Sequence, residues 1–413
     1  MATGLLSVEE GLARALEPIT PLGSERVNLL DALGRIIAED INAPADVPAY
    51  ANSAMDGYAV RAADTAGASQ QSPILLTVIE DLPAGYLAKS SVGAGQAIRI
   101  MTGAPIPNGA DAVVMVEVTE NTLDGSVRIF EAAKTGQHVR PRGEDVQAGD
   151  LLIHTGRELG PAEVGVLAAA QRPFVRVARR PQVAIISTGD ELVEIDEPLL
   201  PGKVVNSNSY SLAALVRAAG GVPIVQGIAR DRETEIRAAI EAALAADFII
   251  SSGGVSVGDY DFVKQVLASL GAEIKFWRVS MKPGKPIAFG TLRGKPYFGL
   301  PGNTVSSMLS FLLFVCPALR KAMGCLPPFT PPTIEVVLES DARSKGDRRT
   351  YLRAHLQYRQ AKFYAQLMPR QGSGVLSSML GATALVILDE GITEIKRGET
   401  ARALVIGNPF SAH

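Results

Sequence analysis

At 413 residues, 47% of them hydrophobic, the chain is long enough for about three or four separately packed domains. A formal net charge of −3 and a single tryptophan exclude a dominant nucleic-acid surface or a base-stacking platform, while leaving room for a local basic pocket.

The N-terminus has neither a basic leader nor a long apolar run, so no signal peptide is expected. Residues 7–17 read as a short helix with Ser7 as cap and Val8, Leu12 and Leu16 on one face, stopped by Pro18 and Pro21. A second helical piece is expected over 30–38, and the proline-rich stretch 43–48 marks a boundary. From 49 to 146, short apolar runs are split by Gly, Pro, Asn and Asp, which predicts a mostly β domain. Residues 147–180, with a helix at 161–170 and a strand at 174–178, are expected to rejoin residues 1–48 as a linking α+β domain.

Between 181 and 326 strand-like and helix-like segments alternate, which predicts a parallel sheet covered by helices with ligands outside the strands' carboxyl ends. The apolar run 305–323 carries Ser306, Ser307, Ser310 and Pro317, so it reads as a buried helix and not a membrane span. Prolines at 327–328 and 331–332 precede a return to β patterning, a small all-β domain over 327–413.

Five turn motifs can carry chemistry. Ser187-Thr-Gly-Asp-Glu191 follows a buried strand; its backbone can approach an anion and its acids can hold a cation, or they are solvated loop acids. Ser251-Ser-Gly-Gly-Val-Ser-Val-Gly-Asp-Tyr-Asp261 suits a phosphate at a helix entrance, but is neither a Walker A loop nor a Rossmann fingerprint. Asp259 and Asp261 would repel a bare phosphate unless Mg²⁺ bridges them; otherwise one of them caps the next helix. Met281-Lys-Pro-Gly-Lys-Pro286 presents Lys282 and Lys285 from a proline-fixed turn, which lowers the entropy cost of aiming both at one anion. In Gly299-Leu-Pro-Gly-Asn-Thr-Val-Ser306, backbone amides and Ser306 can face an oxyanion, or Asn303 simply caps the helix. The fifth cluster is Asn52-Ser-Ala-Met-Asp-Gly-Tyr-Ala59 with Met101-Thr-Gly-Ala-Pro105 and Arg140-Pro-Arg-Gly-Glu-Asp145. Asp231 is equally readable as a ligand or as a cap for the helix that follows it. The two cysteines and four histidines have no zinc spacing, and a reducing cytoplasm fits them. Together these turns describe a site for an oxyanion and a phosphate ester with a divalent metal.

In order and spacing these motifs, with Arg142-Gly-Glu-Asp145, Lys282-Pro-Gly-Lys-Pro286 and Leu300-Pro-Gly-Asn303, resemble the molybdopterin molybdenumtransferase family over essentially the whole chain. The resemblance implies an α/β domain like the molybdopterin adenylyltransferases, a small C-terminal β-barrel, and a homodimer. It implies insertion of molybdate into adenylated molybdopterin with release of AMP and with Mg²⁺ as cofactor, supplied by an upstream adenylyltransferase, with no nucleic acid or membrane as partner. Glu191, Asp231, Asp259 and Asp261 would hold Mg²⁺ or position the adenylated phosphate. Gly253, Gly254 and Ser256 would cradle the substrate. Lys282, Lys285 and Ser306 would bind molybdate, with Arg353 and Ser373 closing that pocket. Asp56, Thr102, Arg140 and Asp145 would act from the partner subunit. One departure is Thr304, where the family has proline; threonine restores an N–H and loosens the helix start. The alternatives are a catalytically silent scaffold of the same fold, which the retained acids argue against, and adenylyl transfer to molybdopterin.

Overall fold

The computed structural model describes residues 5–254 and 262–408, in two compact units. The first comprises residues up to Glu39, Thr155–Val164 and Phe174 onward; the second comprises Asp40–His154 and Gly165–Pro173.

In the first unit, helix α1 (Val8–Leu16) starts at Ser7, whose hydroxyl accepts from the Glu10 amide while the Glu10 carboxylate accepts from the Ser7 amide. This reciprocal box satisfies two otherwise orphaned helix-start donors. The piece expected as a helix at 30–38 is only a short 3-10 turn, Leu30–Ala32. Gly34 turns the chain at φ +71°, and Ile36 and Ile37 bridge instead to Glu158 and Val177. The strand Ser24–Asn28 pairs antiparallel with Phe174–Ala178.

The α/β part runs β1 (Gln182–Thr188), α2 (Ser207–Ala218), β2 (Val222–Ala229), α3 (Glu233–Ala243), β3 (Phe248–Ser252), α4 (Phe262–Ser269), β4 (Glu273–Arg278), β5 (Met281–Lys282), β6 (Pro286–Leu292) and β7 (Lys295–Leu300). The sheet order is β2-β1-β3-β7-β6-β4. It is not wholly parallel: β6 is antiparallel to both its neighbours. The reason is local. Arg293 and Gly294 both take positive φ, +49° and +75°, the two-residue turn that matches strand twist in a hairpin, and they join β6 to β7. Both faces of the sheet are covered, so β1 reads as an unbroken apolar run: Val183 and Ile185 enter one core, Ala184 and Ile186 the other.

Helix α5 (Thr304–Ser310) continues through a π-helical stretch, Phe311–Val315, into α6 (Cys316–Ala322). Pro317 lacks an N–H and would clash with the carbonyl four residues back, so a wider turn ahead of it keeps the helix continuous. The whole stretch Thr304–Ala322 is long and apolar enough to cross a membrane, yet 72% of its most apolar window is buried inside the unit. It is a core helix, packed through Leu309, Phe311, Phe314 and Leu319.

The last strands are β8 (Thr333–Leu338), β9 (Arg349–Arg359), β10 (Lys362–Leu367), β11 (Ala384–Leu388) and β12 (Thr400–Val405). They close in the order β9-β10-β8-β12-β11, with β11 pairing back onto β9, a five-stranded barrel. Strand β5 attaches to β9 in parallel. The α/β core and barrel are continuous, since Tyr351, Leu385 and Leu404 join the cluster holding Val183, Phe248 and Phe314.

The second unit is built on a six-stranded sheet in the order Ala112–Met115, Gly57–Val60, Gln96–Ile100, Ile74–Leu82, Ser126–Ile129, Thr119–Asn121. Tyr58 and Val60 enter one core, Ala59 and Ile98 the other.

Candidate functional site

The carboxyl ends of β1, β3 and β7 carry three of the turn motifs, and the structure joins them. A cleft of about 390 Å³ is lined by Ser187, Thr188, Glu191, Asn206, Asn208, Ser252, Gly253, Gly302 and Thr304. The Asn208 amide ties two of the turns together, donating to Ser252 Oγ at 2.7 Å and to the Gly302 carbonyl at 2.8 Å. Ser187 Oγ lies 2.9 Å from Asn206 Oδ1 and 2.8 Å from Ser209 Oγ. In this cleft three buried polar atoms have no hydrogen-bond partner among the described residues: Thr188 Oγ1, Asn206 Nδ2 and Asn208 Oδ1. Such atoms cost about 1–3 kcal/mol each unless water or a ligand satisfies them. Gly253 (φ +95°) is required here, because a Cβ would sit 2.6 Å from the Thr188 carbonyl oxygen. Gly254 follows it, also at positive φ. Ser256, Asp259 and Asp261 lie outside the described residues.

The acids at this end are held from behind. Lys203 Nζ donates to the Asp190 carbonyl at 2.6 Å and Arg230 Nη1 donates to the Leu192 carbonyl at 2.7 Å. The Asp190 amide donates to Asp231 Oδ2 at 3.4 Å and the Asp231 amide donates to Asp190 Oδ1 at 3.2 Å. Asp231 is not the helix cap: α3 begins at Glu233 and its cap position is Arg232, which makes no side-chain capping bond. The Glu191 carbonyl accepts from the Val204 amide at 2.9 Å, while its carboxylate accepts from no described residue and lines the cleft. Among the described residues no three His, Cys, Asp or Glu side chains gather as a metal cluster.

A second arrangement surrounds the start of α5. Lys282 and Lys285 leave the turn between β5 and β6, and their ammonium groups form no hydrogen bond or ion pair with a described residue, although Lys282, after Arg348, helps hold the Asp347 carboxyl low against burial. Gly284 (φ +105°) seats this turn on α5; a Cβ there would be 3.2 Å from Ser310 Oγ and 3.6 Å from the Ser306 carbonyl. Ser306 is buried, and the hydroxyls of Ser307 and Ser310 are buried without partners. The Val305 amide donates to the Ser373 carbonyl at 3.1 Å, which brings the 371–374 loop over the same helix start. Asn303 occupies the cap position, but its side chain makes no capping bond.

Arg353 holds the other side of the same 371–374 loop. It is 1% exposed, the largest fully buried side chain among the described residues. Nε donates to Ser378 Oγ at 3.2 Å, and Nη2 donates to the carbonyls of Arg370 and Gly372 at 3.2 and 3.1 Å. Nη1 has no partner, and no described carboxylate pairs with the guanidinium. Burial alone pulls its pKa down, as expected of a cation lacking a counter-ion.

In the second unit, Asp56 Oδ1 accepts from both the amide and the hydroxyl of Thr102, each at 2.7 Å. Those bonds, the amide's first, hold its carboxyl below the usual range. Arg140 pairs across a short ladder with Asn52, and the Asp145 amide donates to the Val47 carbonyl at 3.0 Å. Sequence reading missed Asn206, Asn208, Ser307 and Ser310. The signal was there in part: a polar Asn-Ser-Asn run sits between two apolar stretches, and two further serines interrupt the most apolar helix.

Three family models match: the MoeA N-terminal region (domain I and II) over residues 6–170, the "Probable molybdopterin binding domain" over 184–321, and the MoeA C-terminal region (domain IV) over 335–406. A molybdopterin molybdenumtransferase of Nostoc sp. is 43% identical over 92% of this chain and 88% of its own length. The molybdopterin molybdenumtransferase 2 of Mycobacterium tuberculosis is 40% identical over 94% and 95%. A crystal structure of the molybdopterin biosynthesis MoeA protein of Pyrococcus horikoshii OT3 superposes with TM-score 0.85 at 33% identity, covering 98% of this chain and all of that one (100%).

Proposed function

The chain belongs to the molybdopterin molybdenumtransferase family, and from that premise we propose how its residues carry out the transfer. It is an enzyme that transfers molybdenum in molybdenum cofactor biosynthesis. The substrates are molybdate and adenylated molybdopterin, and the second product is AMP.

One observation carries the assignment of the oxyanion pocket: a guanidinium buried to 1% exposure, with a free Nη1 and no carboxylate. A buried, unpaired charge is costly, so its natural counter-ion is one that arrives. Two unpaired ammonium groups and the hydroxyl-rich start of α5 belong to the same neighbourhood, through the Gly284 and Ser373 contacts. Molybdate docks against Lys282, Lys285, Ser306 and Arg353, with the Ser373 loop as a wall. The adenylated molybdopterin lies in the cleft of Thr188, Asn206, Asn208 and Gly253, whose unpartnered atoms suit a ligand rich in donors and acceptors. The substrate's two dithiolene thiols then bond to the held molybdate as one oxo group leaves as water carrying both thiol protons, and a second water hydrolyses the phosphoanhydride link, releasing AMP.

Mg²⁺ fits the residues present. Glu191 has a carboxylate with no described donor, and Asp231 is tied to the same loop through Asp190. One or two carboxylates plus phosphate oxygens and water are the usual ligands of this ion. Glu191 and Asp231, with Asp259 and Asp261, would hold it, and when bound it would neutralise charge on the phosphates. Lys203 and Arg230 stiffen the acidic loop from behind. Asp56, Thr102, Arg140 and Asp145 would act from a second copy of the chain in a homodimer, where a pinned Asp56 offers a fixed acceptor. Free cysteines fit a cytoplasmic setting.

The test is AMP release from adenylated molybdopterin by the purified full chain. Release should need molybdate and rise with Mg²⁺, and Asp261→Ala should abolish it with thermal stability little changed. Release independent of molybdate, or ATP consumption without it, would overturn the reading.

A further inference from the structure

Lysines on a turn grip an anion only if the turn itself is fixed, and β5 is two residues long. Its ladder partner is the start of β9, in the register Met281↔Arg349 and Lys282↔Thr350. Arg349 and Thr350 are therefore the residues whose backbone the lysine strand is laid against, and of the two Arg349 carries the charged side chain.

Arg349 is itself held from two sides. Its Nη1 donates to Glu9 on α1, and its Nε donates to Asp389 Oδ1 at 2.9 Å. Arg402 Nη2 donates to the other Asp389 oxygen at 2.6 Å, anchoring the acid to β12. The N-terminal segment meets the lysine strand directly as well. The Ser280 amide donates to the Leu6 carbonyl at 2.7 Å, Leu6 bridges Val279, and Ser280 Oγ donates to Glu390 Oε2 at 3.2 Å. These pairs surround a cavity of about 530 Å³ lined by Ser7, Glu9, Ser280, Arg349, Asp389, Glu390 and Arg402. Side chains alternate along a strand, so Arg349, Tyr351 and Arg353 share one face of β9. Tyr351 is buried on that face and packs into the α/β core. Glu9 is 66% exposed and Asp389 41%, where an ion pair adds about 0–1 kcal/mol to stability. Two carboxylates from separate parts of the fold meeting on one guanidinium therefore serve geometry more than folding energy.

We propose that Arg349 is a positioning residue for oxyanion binding: clamped between Glu9 of α1 and Asp389 of the barrel, it fixes the strand that presents Lys282 and Lys285. The clamp never touches substrate. It acts through the lysine turn, and so rests on the assignment of that turn to molybdate.

The experiment measures molybdate KM, kcat at saturating molybdate, KM for adenylated molybdopterin and melting temperature for the full chain. Arg349→Met, Arg349→Lys and Glu9→Gln are compared with Lys282→Ala. Arg349→Met should raise molybdate KM by about tenfold or more, since displacing a binding group by an ångström is costly. kcat and the other KM should stay within roughly twofold of the native values. Glu9→Gln should move molybdate KM in the same direction by less, and Arg349→Lys should recover part of the loss, keeping the charge without the fork. Should Arg349→Met fail to fold, Glu9→Gln and Arg349→Lys carry the comparison. A lower melting temperature with unchanged molybdate KM, while Lys282→Ala raises that KM, would make the clamp purely structural and overturn the proposal. An unchanged molybdate KM in Lys282→Ala would mark a different failure, that of the lysine-turn assignment, and would remove the proposal with it.

Discussion

Arg353 is a cation in a dry place, satisfied on Nε and Nη2 and left open on Nη1. Ligand that binds only the folded state stabilises it by about 2.7 kcal/mol at one hundred times Kd. Molybdate should therefore raise the melting temperature of the native chain, and the rise should vanish in Arg353→Met. A full shift in that variant would mean the anion binds elsewhere. Lys282 and Lys285 were legible in the sequence because prolines flank them and make a chance surface pair a poor explanation. Asn206 and Asn208 were not, since their meaning depends on β1 and β3 ending where α5 starts. The odd Thr304 proves to line the cleft, which no local rule about helix starts could say.

Elements followed the sequence where periodicity was strong and failed where tertiary pairing competed. β3 illustrates the first: Ile249 and Ile250 enter opposite cores, and a continuous apolar run in the sequence is what double coverage requires. Ile250→Ala should cost about 2–5 kcal/mol in urea unfolding, as a large-to-small change at a fully buried site. A loss below roughly 1 kcal/mol would contradict the packing described. The reversal of β6 was hidden because Arg-Gly is a weaker hairpin signature than Asn-Gly, although both residues take the left-handed conformation that such a turn needs. At 30–38, apolar spacing suggested a helix, but Ile36 and Ile37 form bridges that a helix cannot offer.

At the scale of the molecule, the alternation of segments over 181–326 and the β patterning after the prolines were enough to expect an α/β body and a small β domain. Closure of the barrel, which the family resemblance implied and the structure bears out, was not legible in that patterning, because it depends on β9 pairing on both edges. The first unit draws its N-terminal segment, α/β sheet and barrel together partly through carboxylates. Burial would raise the Asp247 carboxyl, but the Arg179 fork and the Gln182 amide outweigh it and hold it low. Asp389 and Glu9 are likewise held low against burial, by Arg402 and Arg349 in the first case and Arg349 in the second. Carboxyls depressed in the folded state stabilise it above their unfolded pKa, and that stability is lost as pH falls through the folded pKa. Unfolding midpoints should accordingly drop below about pH 4, and Asp247→Asn should flatten the drop. A native acid limb in that variant would exclude the Arg179 pair as a source.

The central claim is that two lysines, a buried arginine and the start of α5 form one oxyanion pocket. A crystal soaked in molybdate, with data collected at the molybdenum edge, tests it most directly. The account predicts one anomalous peak within hydrogen-bonding reach of Lys282, Lys285, Ser306 and Arg353. A peak elsewhere, with those four side chains unmoved and unbound, would contradict it.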